Sequence, residues 1–212
     1  MPLVTALRAT RRGGVALHVD GEYVCVVSES LVARWRLFKG RELSADDVAA
    51  VRAASSAERV MGDAYRLLGH RARSTEELRR RLRGKEHDAA TVDEAVERLT
   101  AEGFLDDAEF AHSYVADKRR LGGWGAERIR RGLRELGVDP TVIGEALGEG
   151  ASDDAGELAR ALALLRRRGA ADPPLDAARR RAFQALQRRG FSTSTAYAAV
   201  RIWVDESGPP PN

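Results

Sequence analysis

The chain has 212 residues (23.1 kDa), 43% of them hydrophobic, with a formal net charge of +3, three tryptophans and one cysteine. That apolar content is enough for a packed core and excludes wholesale disorder. The lone Cys25 excludes an intramolecular disulfide framework and a cysteine-built zinc cluster. No run of 18 apolar residues is present, so no membrane helix is expected. The opening Met1–Arg8 lacks the charged-then-apolar order of a secretion signal, and a cytoplasmic monomer is the expectation.

Residues 14–27 read as a β-hairpin. Val15–Val19 and Tyr23–Val27 are rich in strand formers, and Asp20-Gly21 between them supplies the positive φ angles of a tight turn. Ser28-Glu29-Ser30 then opens a short helix over Leu31–Phe38, which Gly40 ends. Ser44 to Asp47 is the next cap, and from there nearly every segment reads as helix. Four capping boxes are expected: Ser74 with Glu77, Thr91 with Glu94, Asp106 with Glu109, and Asp154 with Glu157. Asp139-Pro140 is an N-cap followed by proline at the first helical position. Gly69, Gly103, Gly137, Gly169 and Gly190 are expected helix ends. The tail from Asp205 to Asn212 carries no core-forming pattern and is expected to be disordered.

An internal repeat organises the helical part. Leu82, Leu133 and Leu186 align as anchors; four residues earlier stand Leu78, Ile129 and Ala182. Ten and fourteen residues later stand Val92 and Val96, Ile143 and Leu147, Ala196 and Val200. Four residues after the anchor, Gly137 matches Gly190, whereas the first copy has Glu86. The expected fold is mainly α: tandem three-helix repeats, elongated and curved, preceded by a small β-hairpin and helix. The boundaries read as 1–57, 58–105, 106–150, 151–204 and a tail, 205–212.

Catalytic signatures are missing. The chain has no phosphate-cradling glycine loop ending in Lys-Ser/Thr and no Gly-x-Ser-x-Gly. His18, His70, His87 and His112 are scattered, without metal-ligand spacing. Glu86-His87-Asp88 reads as a solvated turn, and the acid pairs Asp106-Asp107 and Asp153-Asp154 as helix caps. No catalytic residue, cofactor or metal is therefore expected.

The basic clusters carry more information. Of 35 basic residues only Lys39, Lys85 and Lys118 are lysines, and arginine binds phosphates and carboxylates through a planar fork that lysine lacks. Arg79 and Arg83 stand at −3 and +1 from the first anchor, and Arg130 and Arg134 at the same offsets from the second. Residues four apart share a helical face. With Arg80 and Arg131 beside them, two repeats present matching arginine ladders, a stripe suited to an extended polyanion or an acidic protein surface. The competing explanation is a solvated face screened by Glu76, Glu77, Glu127 and Glu135. In the third repeat Phe183 and Gln187 occupy the ladder offsets, and the charge moves to Arg179–Arg181 and to Arg188 and Arg189. Lys118, Arg119 and Arg120, like Arg166–Arg168, fall at a helix end, where cations also suit the dipole. Trp124, in Gly122-Gly123-Trp124-Gly125, either stacks on a base or contacts a partner, or plugs the joint between repeats.

Arg73-Ser74-Thr75-Glu76-Glu77-Leu78-Arg79-Arg80-Arg81-Leu82, then Val92, Val96 and Leu99, then Gly103-Phe104-Leu105-Asp106-Asp107-Ala108-Glu109-Phe110-Ala111 resemble the signature of the RecX family. Arg119, Gly122 to Gly125, Ile129, Leu133, Gly137-Val138 and Ile143 continue the likeness, which covers about 64–148 and is looser over 153–204. Glu86 departs from the glycine usual after that helix. The resemblance implies modular helical repeats without catalytic activity. It implies a regulator of recombinational DNA repair and the SOS response that lies along the RecA–DNA filament and lowers RecA activities. Single- or double-stranded DNA would be a further partner, and no membrane is implied. The alternative from the residues is a stand-alone DNA-binding module that regulates transcription; a third reading is an adaptor with no nucleic-acid affinity.

Overall fold

A computed structural model describes residues 1–11, 13–148, 154–169 and 175–207. Three strands, β1 (Val4–Ala9), β2 (Val15–Val19) and β3 (Glu22–Val27), form an antiparallel sheet in the order β1-β2-β3. The expected hairpin is β2–β3, and Asp20 and Gly21 turn it at φ +51° and +87°. β1 is additional to that hairpin. Its outer edge is closed by Val4 N donating to Arg41 O and Gly40 N donating to Val4 O, both at 2.8 Å.

Helix α1 (Glu29–Arg34) is shorter than the expected Leu31–Phe38, because Trp35 caps it and Arg36 turns away at φ +47°. Ser44 caps α2 (Ala45–His70) in a full capping box with Asp47. α2 passes through Gly69 instead of ending there. Valines 4, 19, 27 and 51 and leucines 17, 31, 37 and 43 form one core between the sheet and these helices.

The remaining helices are α3 (Thr75–Arg83), α4 (Ala89–Ala101), α5 (Asp107–Gly122), α6 (Ala126–Glu135), α7 (Pro140–Leu147), α8 (Asp154–Arg166), α9 (Leu175–Arg188) and α10 (Thr193–Glu206). The second and third repeats thus each have three helices, and the first has α3 and α4 after the C-terminal part of α2. Leu82 and Leu133 are fully buried and Leu186 is nearly so. Separate cores surround the second and third anchors.

Several caps differ from the local reading. Asp88, not Thr91, caps α4, accepting from Thr91 N at 3.0 Å, since it stands one residue before the helix with an extended backbone. Ser74 accepts from Glu77 N as expected, but the Glu77 carboxylate turns to Arg73, and that pair is buried. Asp106 caps α5, and Asp139 with Pro140 opens α7. The expected Asp154 cap of α8 lies outside the described side chains. Asp205 and Glu206, expected in a disordered tail, belong to α10, which Ser207 caps. Asp153 and the last five tail residues lie outside the described residues. Compact packing divides the chain into Met1–Ala72 with Leu78–Phe104, and Arg73–Glu77 with Leu105–Asn212.

Candidate binding interface

The two arginine ladders match in sequence but not in available charge. On α3, Arg79 Nε donates to Asp93 Oδ1 at 2.9 Å, and Arg83 Nη2 reaches both Asp93 oxygens at 3.0 Å. One carboxylate of α4 therefore serves both ladder residues, and Arg79 is only 26% exposed. Asp93 is thus a carboxylate partner of this ladder that lies on another helix than Glu76 and Glu77. Arg80 is exposed on the same helix. On α6, Arg130 is 19% exposed and donates to Glu127 at 2.5 Å. Arg131 and Arg134 are exposed and have no ion-pair partner among the described residues. Together with Arg128, Arg130, Arg188 and the Gly190–Thr193 turn they line a cleft of about 420 Å³.

The start of α6 explains how this face is held. Gly125, its N-cap, has no side chain to cap with, and the neighbouring repeat supplies the acceptors. Gly125 N donates to Arg189 O at 2.8 Å and Glu127 N to Gly190 O at 3.0 Å, while Ala126 N donates to Glu157 Oε1 at 2.9 Å. The other Glu157 oxygen accepts from Thr195 Oγ1 at 3.2 Å. The C-terminal carbonyls of α9 thus meet the N-terminal N–H groups of α6, so the two helix dipoles join with opposite ends together. Such an approach requires glycine on both sides. A Cβ at Gly125 would lie 2.4 Å from Gly190 O, and one at Gly190, where φ is +82°, would lie 2.3 Å from Arg128 Cβ.

The same rule operates one repeat earlier. Ser74, eight residues before its anchor like Gly125, donates through Oγ to Leu136 O at 2.5 Å. Leu136, like Arg189, stands three residues after its own anchor. Thr75 N donates to Asp107 Oδ1 at 2.8 Å, so Asp107 does for α3 what Glu157 does for α6. The sequence reading took these acids as caps of their own helices. The signal that locates the true pairing is the shared −8 and +3 offsets.

Trp124 stands next to Gly125 at this joint. It is half-buried against the core of the second repeat. Arg128 stacks 4.0 Å from its ring centroid and Lys118 Nζ stands 5.0 Å away. Arg119 donates to Leu147 O at 3.1 Å, Arg120 pairs with Asp117 at 3.1 Å, and Arg189 donates to Gly122 O at 2.8 Å. Arg189 therefore braces the joint and Lys118 and Arg119 are engaged within the second repeat, whereas Arg188 is exposed with no ion-pair partner among the described residues. His87 is not in a solvated turn; its ring is 6% exposed and bonds Asp63 Oδ2 at 2.9 Å. Among the described residues no cluster of His, Cys, Asp and Glu is arranged to hold a metal ion, and no helix is long and apolar enough to cross a membrane.

Residues 61–99 match the first three-helix domain of RecX and residues 106–147 the second. The regulatory protein RecX of Leuconostoc citreum (strain KM20) is 27% identical over 201 residues, spanning 94% of this chain and 76% of that relative. That of Bacillus subtilis (strain 168) is 28% identical over 204 residues, with the same coverage. That of Geobacillus kaustophilus (strain HTA426) is 30% identical over 179 residues, 84% of this chain and 66% of the relative. A crystal structure of a regulatory protein RecX superposes with a TM-score of 0.66 at 24% identity, covering 97% of this chain and all of the other. RecX from Lactobacillus salivarius superposes at 0.63 and 20% identity, over 72% of this chain and 99% of the other. With both three-helix domains matched in order, and regulatory proteins of that name aligned along most of its length, the chain belongs to the RecX family.

Proposed function

We propose that this protein binds the filament that RecA forms on DNA and lowers its recombinase, ATPase and coprotease activities, acting by contact and not by catalysis. The observation that carries the reading is the exposed arginine face of α6. Arg131 and Arg134 stand with Arg188 around one cleft, none of the three with an ion-pair partner among the described residues, while Glu127 on the same wall pairs with Arg130; backbone hydrogen bonds fix the joint. Arginine forks suit DNA phosphates and acidic protein surface alike. The first ladder contributes less, because Asp93 holds two of its members.

The test is the ATPase of RecA on single-stranded DNA, with this protein titrated in. The unaltered protein lowers the rate. The triple variant Arg131→Ala, Arg134→Ala, Arg188→Ala requires a concentration at least about tenfold higher for the same effect, as loss of charged contacts at an interface demands. If the three arginines meet phosphates, the salt dependence of filament binding flattens by about 2 to 3 in log–log slope. Equal potency of a folded triple variant would refute the assignment of this face.

A further inference from the structure

On the other side of the same joint is a second cavity, of about 920 Å³, lined by the ends of α5, α8 and α9. Among the described residues, eight arginines and no acidic residue line it. Three helix C-termini account for part of that charge, since each brings about half a negative charge. Asp117, outside the lining, neutralises Arg120. Arg119 and Arg160 are engaged as well. Arg167 and Arg168 at the end of α8, and Arg188 at the end of α9, have no carboxylate partner among the described residues. The rest of the wall is apolar, with Leu164, Leu165 and Phe191.

We propose that this cavity is a binding site for a compact polyphosphate: the triphosphate chain of a nucleotide, or a free tripolyphosphate. The inference goes beyond filament binding at the α6 cleft, with which this cavity shares Arg128, Arg188 and Phe191. A volume in the range of small-molecule pockets suits a short ligand. Arg167 and Arg168 from α8 and Arg188 from α9 line one cavity, whereas an extended strand needs its cations in a row. Several phosphates in one short chain match several arginines at once, which a single sulfate or phosphate ion does not. The apolar wall gives a nucleotide base a surface that tripolyphosphate would leave empty.

Calorimetric titration of the full chain at constant ionic strength tests this. Tripolyphosphate and ATP are expected to bind saturably at one site, and inorganic phosphate at least tenfold more weakly. Tighter binding of ATP than of tripolyphosphate identifies the nucleotide as the ligand; equal binding identifies the phosphate chain alone. Arg167→Glu with Arg168→Glu, both exposed, should weaken either ligand at least tenfold, while Arg201→Glu on α10 should not. The single variant Arg168→Gln serves if the double variant fails to fold, and a severalfold loss is then expected. Non-saturating binding, or equal weakening by Arg201→Glu, would show diffuse charge attraction and overturn the site. So would tripolyphosphate failing to bind while a single-stranded oligonucleotide binds and is released by the α8 variants.

Discussion

At Glu86 the backbone takes φ +62°, the left-handed region that Gly137 and Gly190 occupy at +82° in the other repeats. A side chain there costs about 1–2 kcal/mol. Glycine gives back about 0.4–1 kcal/mol through the freedom of its unfolded chain. Glu86→Gly should therefore stabilise the protein by about 0.5–1 kcal/mol in urea denaturation; a loss of stability would show that the carboxylate has a structural role. One residue on, burial pushes the His87 pKa below 6.5, and the positive charges of Arg59 and Lys85 push it further. Asp63 does not reverse this, because it also pairs with Arg66 and Lys85. As pH falls the unfolded chain takes up the proton first. The stability associated with neutral His87 is thus complete above about pH 6.5 and declines below it. The unaltered protein should lose more stability than His87→Gln between about pH 7.5 and pH 5.5, and parallel curves would refute the shift. Glu86 was legible, since it breaks a glycine position of the repeat. The His87 environment was not, because Asp63 lies 24 residues away.

Among elements, the start of α6 shows where local reading stops. Four residues separate the apolar stripe Ile129 and Leu133, and both are fully buried, as spacing alone requires. The caps of that helix come from residues 31 and more positions away. Capping patterns are read within one turn, so the role of Glu157 at the start of α6 is invisible to them. Its carboxylate serves two donors at once, and Glu157→Gln presents an amide N–H₂ to one of them. The expected loss is about 1–3 kcal/mol, with faster amide exchange at Ala126 and Glu127. Gly125→Ala forces a Cβ onto the Gly190 backbone and should cost about 1–3 kcal/mol or more. Unchanged stability in both variants would mean that the two repeats do not depend on this joint.

For the whole molecule, the joint makes the third repeat part of the second. A chain ending at Gly148 keeps α6 but removes Glu157, Arg189 O and Gly190 O, the acceptors for its first N–H groups. It also removes Arg188. The shortened protein should melt at a lower temperature and inhibit the RecA ATPase less than the full chain, and equal melting would count against the cap. The helical class, the repeat register and the buried anchors followed from sequence because an apolar stripe is a one-dimensional pattern, repeated at Leu82, Leu133 and Leu186. The resemblance of Gly103–Ala111 and its flanks pointed to the family by the same kind of local order. Which arginines stay available was decided only in three dimensions. Asp93 engages Arg79 and Arg83, Trp124 carries Arg128 and Lys118, and Gly122 O holds Arg189 from 67 residues away. Ion pairs and caps depend on which chain ends meet across a joint, and the spacing of charges along one helix does not specify that meeting.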